Sequence, residues 1–336
     1  MGVDSGEYEV VEHGDLADIK VFLVRLFWRN PHFHREFELC RVVSGSVRVT
    51  VQQESRDFRS GDLFLFNPHL VHEIHAIGPE SAESGAEILS LQVSPRWCER
   101  FFPAMAYVEF DSFDFLPALD AASATSLRAG LDALATDYFA QGPSYEFACV
   151  SRVASNFYLL MTRVSRHTLS EKERAARIAR SDRVNRITEY AESRFTEKLL
   201  LSDIARREGL TLAYLSHFFR DNFGMSFQRF VALLRFDEAR RLIERTDLPV
   251  TDVSLTCGFS DYRYLNKIYE EKVGLTPAEW RKRNRVSSGG MPAQMMSGSI
   301  DTDGRESRHS KQEFYSSAKS LAVLSRVSSG TRTRGN

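Results

Sequence analysis

The sequence predicts an α+β protein of two domains: an antiparallel β-barrel followed by two helices, then an all-α domain built on an internal repeat. Three observations carry this. Short segments with alternating apolar residues fill residues 21–94, the apolar period lengthens after Pro117, and residues 183–285 match themselves at an offset of 49 to 50. Period-2 alternation turns one face of a strand toward a core, whereas a period near 3.6 makes a helical stripe. At 336 residues, 43% hydrophobic and 26% charged, the chain has enough apolar surface for about two ordinary domains. That composition excludes wholesale disorder, a collagen-like fibre and a small disulfide-stapled scaffold.

The front segments are 21–28, 37–43, 46–51, 62–66 and 87–93, separated by Asn30-Pro31, Ser44-Gly45, Ser60-Gly61-Asp62 and Asn67-Pro68. Short strands punctuated by turn residues argue a sandwich or barrel. Beyond Pro117, Leu127, Leu131, Leu134 and Tyr138 recur at helical spacing, and after Gly142-Pro143 so do Phe147, Val150, Ala154, Phe157, Met161 and Val164. These are two amphipathic helices joined by Gly-Pro, their stripes consumed inside the monomer or used in part as a dimer seam. Residues 166–182, rich in Arg, Glu and Ser, read as a linker that can run into the next helix, and residues 286–336, with 12 Ser and 6 Gly, as a disordered tail. The expected organisation is therefore a barrel at 1–117, a helical dimerisation region at 118–165, a linker at 166–182, the repeat domain at 183–285 and the tail at 286–336.

The net charge of -1 conceals a division: -8 over residues 1–182, +4 over 183–285 and +3 over 286–336. An acidic front and basic rear point the rear toward a polyanion, because Lys and Arg on phosphates release counterions. Cys40, Cys98, Cys149 and Cys257 contain no C-x-x-C pair, which excludes a zinc ribbon and a redox motif and leaves reduced structural thiols. No apolar run approaches the roughly 18 to 20 residues that span a bilayer. The opening Met-Gly-Val-Asp-Ser-Gly lacks a signal-peptide layout, and Gly6 stands where myristoylation wants Ser or Thr. The expectation is a cytoplasmic protein without a membrane partner.

Within the repeat, Ser202-Asp203-Ile204-Ala205 with Gly209-Leu210 pairs with Thr251-Asp252-Val253-Ser254 and Gly258-Phe259. Further on, Tyr214-Leu215 pairs with Tyr264-Leu265, Phe219 with Tyr269, Gly224 with Gly274 and Phe230 with Trp280. Each copy reads as a short helix capped by Ser or Thr, a tight turn carrying Gly, and a second helix, which is helix-turn-helix grammar. The alternative is a helical repeat without a nucleic-acid role.

These residues, with Phe218-Phe219-Arg220, Arg235, Ala239, Leu242, Cys257-Gly258-Phe259-Ser260-Asp261 and the segment from Gly274 through Pro277 to Trp280-Arg281, resemble the DNA-binding domain of the AraC/XylS family of transcription regulators. The resemblance spans nearly all of 183–285 and implies two helix-turn-helix units bridged by a long helix at about 226–246. Carried over by position, the first reading helix, 211–222, exposes Ala213, Ser216, His217 and Arg220. The second, 261–272, exposes Tyr262, Arg263, Asn266 and Lys267. Arg263, Asn266 and Lys267 suit base edges and Arg220 suits phosphate, the alternative for each being a solvated charge. Ala213 and Ser216 are small where the family often has larger side chains, and Glu270 stands where it often has Lys or Arg. The second unit is therefore expected to read more bases.

In the front, His32-Phe33-His34-Arg35-Glu36-Phe37-Glu38 with Gly45, then Gly61-Asp62, Asn67-Pro68 and His72, resembles the two cupin motifs. In a metal cupin His32, His34, Glu38 and His72 would converge inside the barrel. Leu26 replaces the expected Gly of the first motif and Ala76 the expected Asn of the second. AraC-type sensor domains look like cupins and often keep this pattern without a metal, so the expectation is an effector pocket with no cofactor, a divalent metal being the alternative. His32, His34, Glu38 and His72 line that pocket or make structural hydrogen bonds, and Trp28, Arg41 and Phe66 stand near its mouth or serve as ordinary packing or surface. His69 and His75 are read as surface or turn residues. The family implies a regulator rather than an enzyme, sensing a sugar or related small polar metabolite, with double-stranded DNA, RNA polymerase and a second copy of the chain as partners. The alternative is a metal-dependent cupin enzyme fused to a DNA-binding module.

Overall fold

A computed structural model describes residues 7–12, 16, 18–78, 81 and 85–288. The tail expected from 286 onward lies outside the described residues apart from its first three, which finish the last helix. The chain divides into two compact units, one made mainly of residues 6–185 and the other mainly of 186–220 and 225–288.

The first unit carries two antiparallel sheets. Strands β1 (Glu7–Glu12), β2 (Ile19–Leu26), β3 (Trp28–His32), β4 (Phe37–Ser44), β5 (Ser46–Val51), β6 (Glu54–Arg59), β7 (Leu63–Phe66), β8 (His72–Ala76) and β9 (Ala86–Val93) form the orders β1-β2-β9-β4-β7 and β3-β8-β5-β6. The expected segment 21–28 is two strands, because the chain leaves one sheet after Leu26 and joins the other at Trp28. Strand β6 escaped the pattern because only Phe58 among its six residues is buried.

Alternation within the sheets builds two cores. Val24, Val42, Val49, Phe64 and Ile88 point between the sheets and fill the barrel. Leu23, Leu39, Leu65, Leu89 and Leu91 point the other way, from the five-stranded sheet. That outer face is covered by α2 (Ala121–Ala140) and α3 (Tyr145–Arg163), which follow the short helix α1 (Pro95–Glu99). The expected stripe Leu127, Leu131, Leu134 and Tyr138 is the buried face of α2, whose N-terminus is capped by Asp120 accepting from Ser123 N at 2.8 Å.

Three expectations need correction. Helices α2 and α3 are not a separate region: their buried residues and the outer sheet face form one hydrophobic core. On α3 the buried face is Cys149, Val153, Phe157 and Leu160, so the expected stripe was out of phase, and Phe147 is 82% and Tyr158 67% exposed. The expected linker is structured: β11 (Arg166–Thr168) pairs with β10 (Val108–Phe110), and α4 (Glu171–Glu192) begins three residues later. Arg177 on α4 pairs with Glu109 of β10, which explains how so polar a segment stays ordered. The four cysteines are buried and free, and burial drives Cys98 and Cys257 up to about 12, well away from thiolate chemistry.

The second unit is helical: α5 (Leu201–Arg207), α6 (Leu212–Phe223), α7 (Phe227–Arg245), α8 (Val250–Thr256), α9 (Tyr262–Val273) and α10 (Pro277–Ser288). Helices α5 and α8 have seven residues each and α6 and α9 twelve each, so the sequence repeat is a structural one. Ser202 and Thr251 do not cap them. Each helix starts earlier, at an extended Leu200 or Pro249, and places Asp203 or Asp252 in the first turn, where the helix dipole favours an acid. The bridging helix α7 is capped by Ser226, which accepts from Arg229 N.

Candidate functional site

The barrel gathers its polar residues from both sheets. Glu38 lies on β4 with the parity of Cys40 and Val42, hence facing inward. His32 ends β3 and is the direct cross-strand partner of His72 on β8. His34 lies in the connection between β3 and β4, not on a strand with His32, and its ring reaches back over the barrel. His34 Nε2 lies 2.5 Å and His72 Nε2 3.8 Å from Glu38 Oε2. The His32 and His72 rings are 4.2 Å apart between centroids. Phe66 stacks on His72 at 3.7 Å. The structure thus brings together His32, His34, Glu38, His72 and Phe66.

Each ring is oriented by main chain: Nδ1 donates to a carbonyl two residues away, Asn30 O for His32 (2.9 Å), Glu36 O for His34 (2.9 Å) and Leu70 O for His72 (2.8 Å). Burial, with the neighbouring charges of Arg29, His72 and His34, pushes His32 well below the usual histidine range, and burial followed by His34 takes His72 to about 3. Burial would raise the Glu38 carboxyl, but His34, His72 and Arg29 hold it well below the usual carboxylate range. Cys40 donates to the other Glu38 oxygen at 3.5 Å and lies 3.2 Å from Ser90 Oγ.

Two expected pocket residues face elsewhere. Arg41 has the opposite parity to Glu38 and Cys40, so it leaves the barrel and forms a buried ion pair with Asp132 on α2. Trp28 is buried, but its register partner is His75, whereas inward-facing Ile74 is paired with Arg29. Cross-strand partners share a face, so Arg29 rather than Trp28 points toward the cluster. Counting alternation onward from Leu26 selects Trp28. The switch of sheets and the bulge between Arg29 and His32 reset that count, so no local signal marked Arg29. His75 sits on β8 opposite in parity to His72, and His69 occupies a turn at φ +66°, its Nδ1 2.7 Å from Ser181 Oγ.

In the second unit, the two turns repeat bond for bond. Glu208 N donates to Ile204 O and Leu210 N to Ala205 O, as Cys257 N does to Val253 O and Phe259 N to Ser254 O, around Gly209 at φ +65° and Gly258 at φ +83°. Leu215 and Phe219 bury the inner face of α6; Leu265, Ile268 and Tyr269 bury that of α9. On the opposite faces Ala213, His217 and Arg220 are exposed with Ser216 half-buried, and Tyr262, Arg263 and Lys267 are exposed with Asn266 half-buried. Asp261 caps α9 by accepting from Arg263 N at 2.8 Å. Trp280 Nε1 donates to Glu244 at 2.8 Å, and Arg281 donates to Leu248 O at 2.7 Å, fixing α10 on α7.

A β-barrel backed by helices and followed by two helix-turn-helix units on one bridging helix defines a class: a regulator-type chain with a ligand-binding domain and a paired DNA-binding module. A family model described as an AraC-like ligand binding domain matches residues 24–151, and one described as a helix-turn-helix domain matches residues 204–283. The chain belongs to the AraC/XylS family. The HTH-type transcriptional activator RhaR of Enterobacter sp. strain 638 is 32% identical over 102 residues, covering 30% of this chain and 36% of its own. RhaR of Klebsiella pneumoniae is 24% identical over 132 residues, covering 39% and 47%. The chain thus spans about a third to a half of the length of these two curated relatives. Among solved structures, ToxT of Vibrio cholerae is similar with a TM-score of 0.43 and 12% identity over 79% of this chain and 98% of that one. No helix among the described residues is long and apolar enough to cross a membrane.

Proposed function

We propose that this chain is a cytoplasmic, sequence-specific DNA-binding transcription regulator, not an enzyme, whose barrel binds a small polar effector. The observation that carries the reading is the structural repeat, two seven- and twelve-residue helix pairs that present Arg220 from one unit and Arg263 and Lys267 from the other. Arg and Lys at a helix surface of this kind suit guanine edges in a major groove, and half-buried Asn266 suits adenine. A sugar or related metabolite is the effector class to test first. The exposed apolar face of α3 supports a homodimer, and RNA polymerase is the partner that an activator requires.

The test is selection of an operator from random duplex DNA by the full chain, then binding by variants. Arg263→Ala or Lys267→Ala is expected to weaken the selected site by about 1–3 kcal/mol and relax one or two positions. Arg220→Ala is expected to weaken all duplexes alike and lower the salt slope by about 1. Unchanged selectivity in both α9 variants refutes readout by that helix. The histidine cluster favours a second reading, a metal-dependent barrel enzyme fused to the DNA module, which turnover abolished by Glu38→Gln would support.

A further inference from the structure

The connection from β7 to β8 concentrates backbone strain at one residue. In the turn Asn67-Pro68-His69-Leu70, Leu70 N donates to Asn67 O at 3.3 Å, Pro68 stands second and His69, third, has φ +66°. A turn of this type II pattern needs positive φ at its third residue, where glycine sits without strain and histidine does not. Such a residue persists only where its surroundings hold it. Contacts on two sides do so here. On one side His69 N donates to His34 O at 2.7 Å and His72 Nδ1 donates to Leu70 O at 2.8 Å, which ties the turn to the barrel cluster. On the other, the Asn67 side chain donates to Phe110 O at 2.8 Å and accepts from Phe110 N at 3.0 Å, on β10, and His69 Nδ1 lies 2.7 Å from Oγ of the buried Ser181 on α4. Glycine at position 69 would form the same turn without strain and would lack the ring that meets α4.

We propose that the turn Asn67–Leu70 is a two-state latch between the barrel cluster and helix α4. The inference rests on the reading of the barrel as an effector pocket. A molecule that enters the cluster meets the ring nitrogens of His34 and His72, and a ring that turns toward it loosens its hold on the carbonyl that orients it, Glu36 O or Leu70 O. Either event removes a support from the turn, directly at Leu70 or through the main chain of His34 beneath His69 N. His69 then relaxes from positive φ to the extended region, and its ring leaves Ser181. The latched state has the hydrogen bonds and the strain; the released state has neither. A ligand that binds the released state more tightly shifts the balance by its difference in affinity, and the turn is the element on which both ends act. Helix α4 runs unbroken to Glu192, past Asn185 where the first unit ends, so a change in how firmly its first half is held is passed along the chain that leads to the DNA-binding unit.

The experiment uses the full chain and reads backbone hydrogen exchange peptide by peptide. His72→Phe keeps a ring against Phe66 and removes the donor to Leu70 O; Ser181→Ala removes the far end of the latch. Each is expected to raise exchange at residues 175–185 by about fivefold or more, and the double variant by no more than about twofold beyond the larger single effect. Effects that multiply in the double variant, or α4 exchange untouched by His72→Phe, overturn the latch. His75→Gln, on the other face of β8, is expected to leave α4 unchanged, and an equal rise there overturns the latch as a general loosening of the barrel. If His72→Phe does not fold by circular dichroism, His69→Gly decides. It relieves the turn and removes the ring, so exchange should rise at 175–185 and stay constant at 37–44, and an unchanged α4 overturns the proposal. Operator binding measured on the same samples separates the two readings. Selective DNA binding with uncoupled exchange overturns only the latch, whereas coupled exchange without DNA selectivity overturns the regulator and keeps the latch.

Discussion

The ion pair between Arg41 and Asp132 is the polar fastening between the barrel's β4 and helix α2, and its energetics follow from its burial. The two side chains are 4% and 13% exposed. A charge taken out of water and deprived of its partner costs about 3–5 kcal/mol, whereas replacing both partners by apolar groups of similar volume is often neutral or stabilising by about 1–4 kcal/mol. Asp132→Asn, which leaves the guanidinium buried and unpaired, is expected to lose about 3–5 kcal/mol, or roughly 6–20 °C in Tm for a unit of this size. The double variant Arg41→Met with Asp132→Leu should recover most of that loss. Arg41→Met alone has an escape: burial already pushes the Asp132 carboxyl above its usual value, with Arg41 opposing, so without the arginine the carboxyl rises further and protonates. A group whose folded pKa is raised binds more protons when folded, so stability falls as pH rises through that pKa and is regained below it. The Arg41→Met deficit should therefore shrink as pH is lowered from 7 toward 4, while that of Asp132→Asn should not shrink in step. Urea unfolding at several pH values gives all four corners of the cycle. An Asp132→Asn loss below about 1 kcal/mol, or a double variant no better than the worse single one, refutes the assignment of a buried, mutually dependent pair.

Two further outcomes follow from the fold. Gly258 has φ +83° and an added Cβ would sit 2.4 Å from the Thr196 carbonyl oxygen, whereas Gly209 has φ +65° with nothing within 4 Å. Gly209→Ala is therefore expected to cost only the left-handed strain, about 1–2 kcal/mol, and Gly258→Ala about 1–3 kcal/mol more, with equal losses in chemical unfolding counting against the repeat geometry. Phe147→Glu with Tyr158→Glu, both on the exposed face of α3, should convert a dimer to a monomer in sedimentation while shifting stability by no more than about 0.5 kcal/mol per site; a wild-type chain that is monomeric at micromolar concentration removes the seam.

What was legible in the sequence was whatever a fixed period or offset controls. The 49-to-50 offset marked two helix-turn-helix units, because glycines at positive φ and the apolar residues beside them leave few other conformations, and the AraC/XylS resemblance placed the two reading helices and the bridging helix to within a residue or two. Strand 46–51 was legible because one of its faces is buried and the other is not. The α3 stripe was missed because that helix has apolar residues on two faces, and period alone does not say which one meets the sheet. The run of 166–182 into a helix fits its reading as a linker that leads into the next helix, but its strand β11 and its order come from long-range partners, a backbone pairing with β10 and the pair between Arg177 and Glu109, which local composition does not encode. In the barrel the four motif residues come from the resemblance to the cupin motifs, whereas Arg41 and Trp28 turn away from the cluster because a one-residue change of parity reverses every side chain.

That same parity ties the two sides of the sheet together. Strand β4 sends Glu38 and Cys40 into the barrel and Arg41 onto α2, two opposite roles within four residues of one strand. A ligand that engages Glu38 acts on a strand whose outer face is already committed to α2 by a buried ion pair, one-sided disruption of which costs about 3–5 kcal/mol. Driving a two-state equilibrium from 1:99 to 99:1 takes about 5.5 kcal/mol of differential binding. The net worth of the intact pair is far smaller than that one-sided cost, since apolar replacement of both partners is often neutral, so a full switch requires the apolar contacts of Leu39 and its outer-face neighbours with the helices to differ between the two states as well. Loosening of Arg41 from Asp132 by itself supports a graded response rather than an all-or-none one.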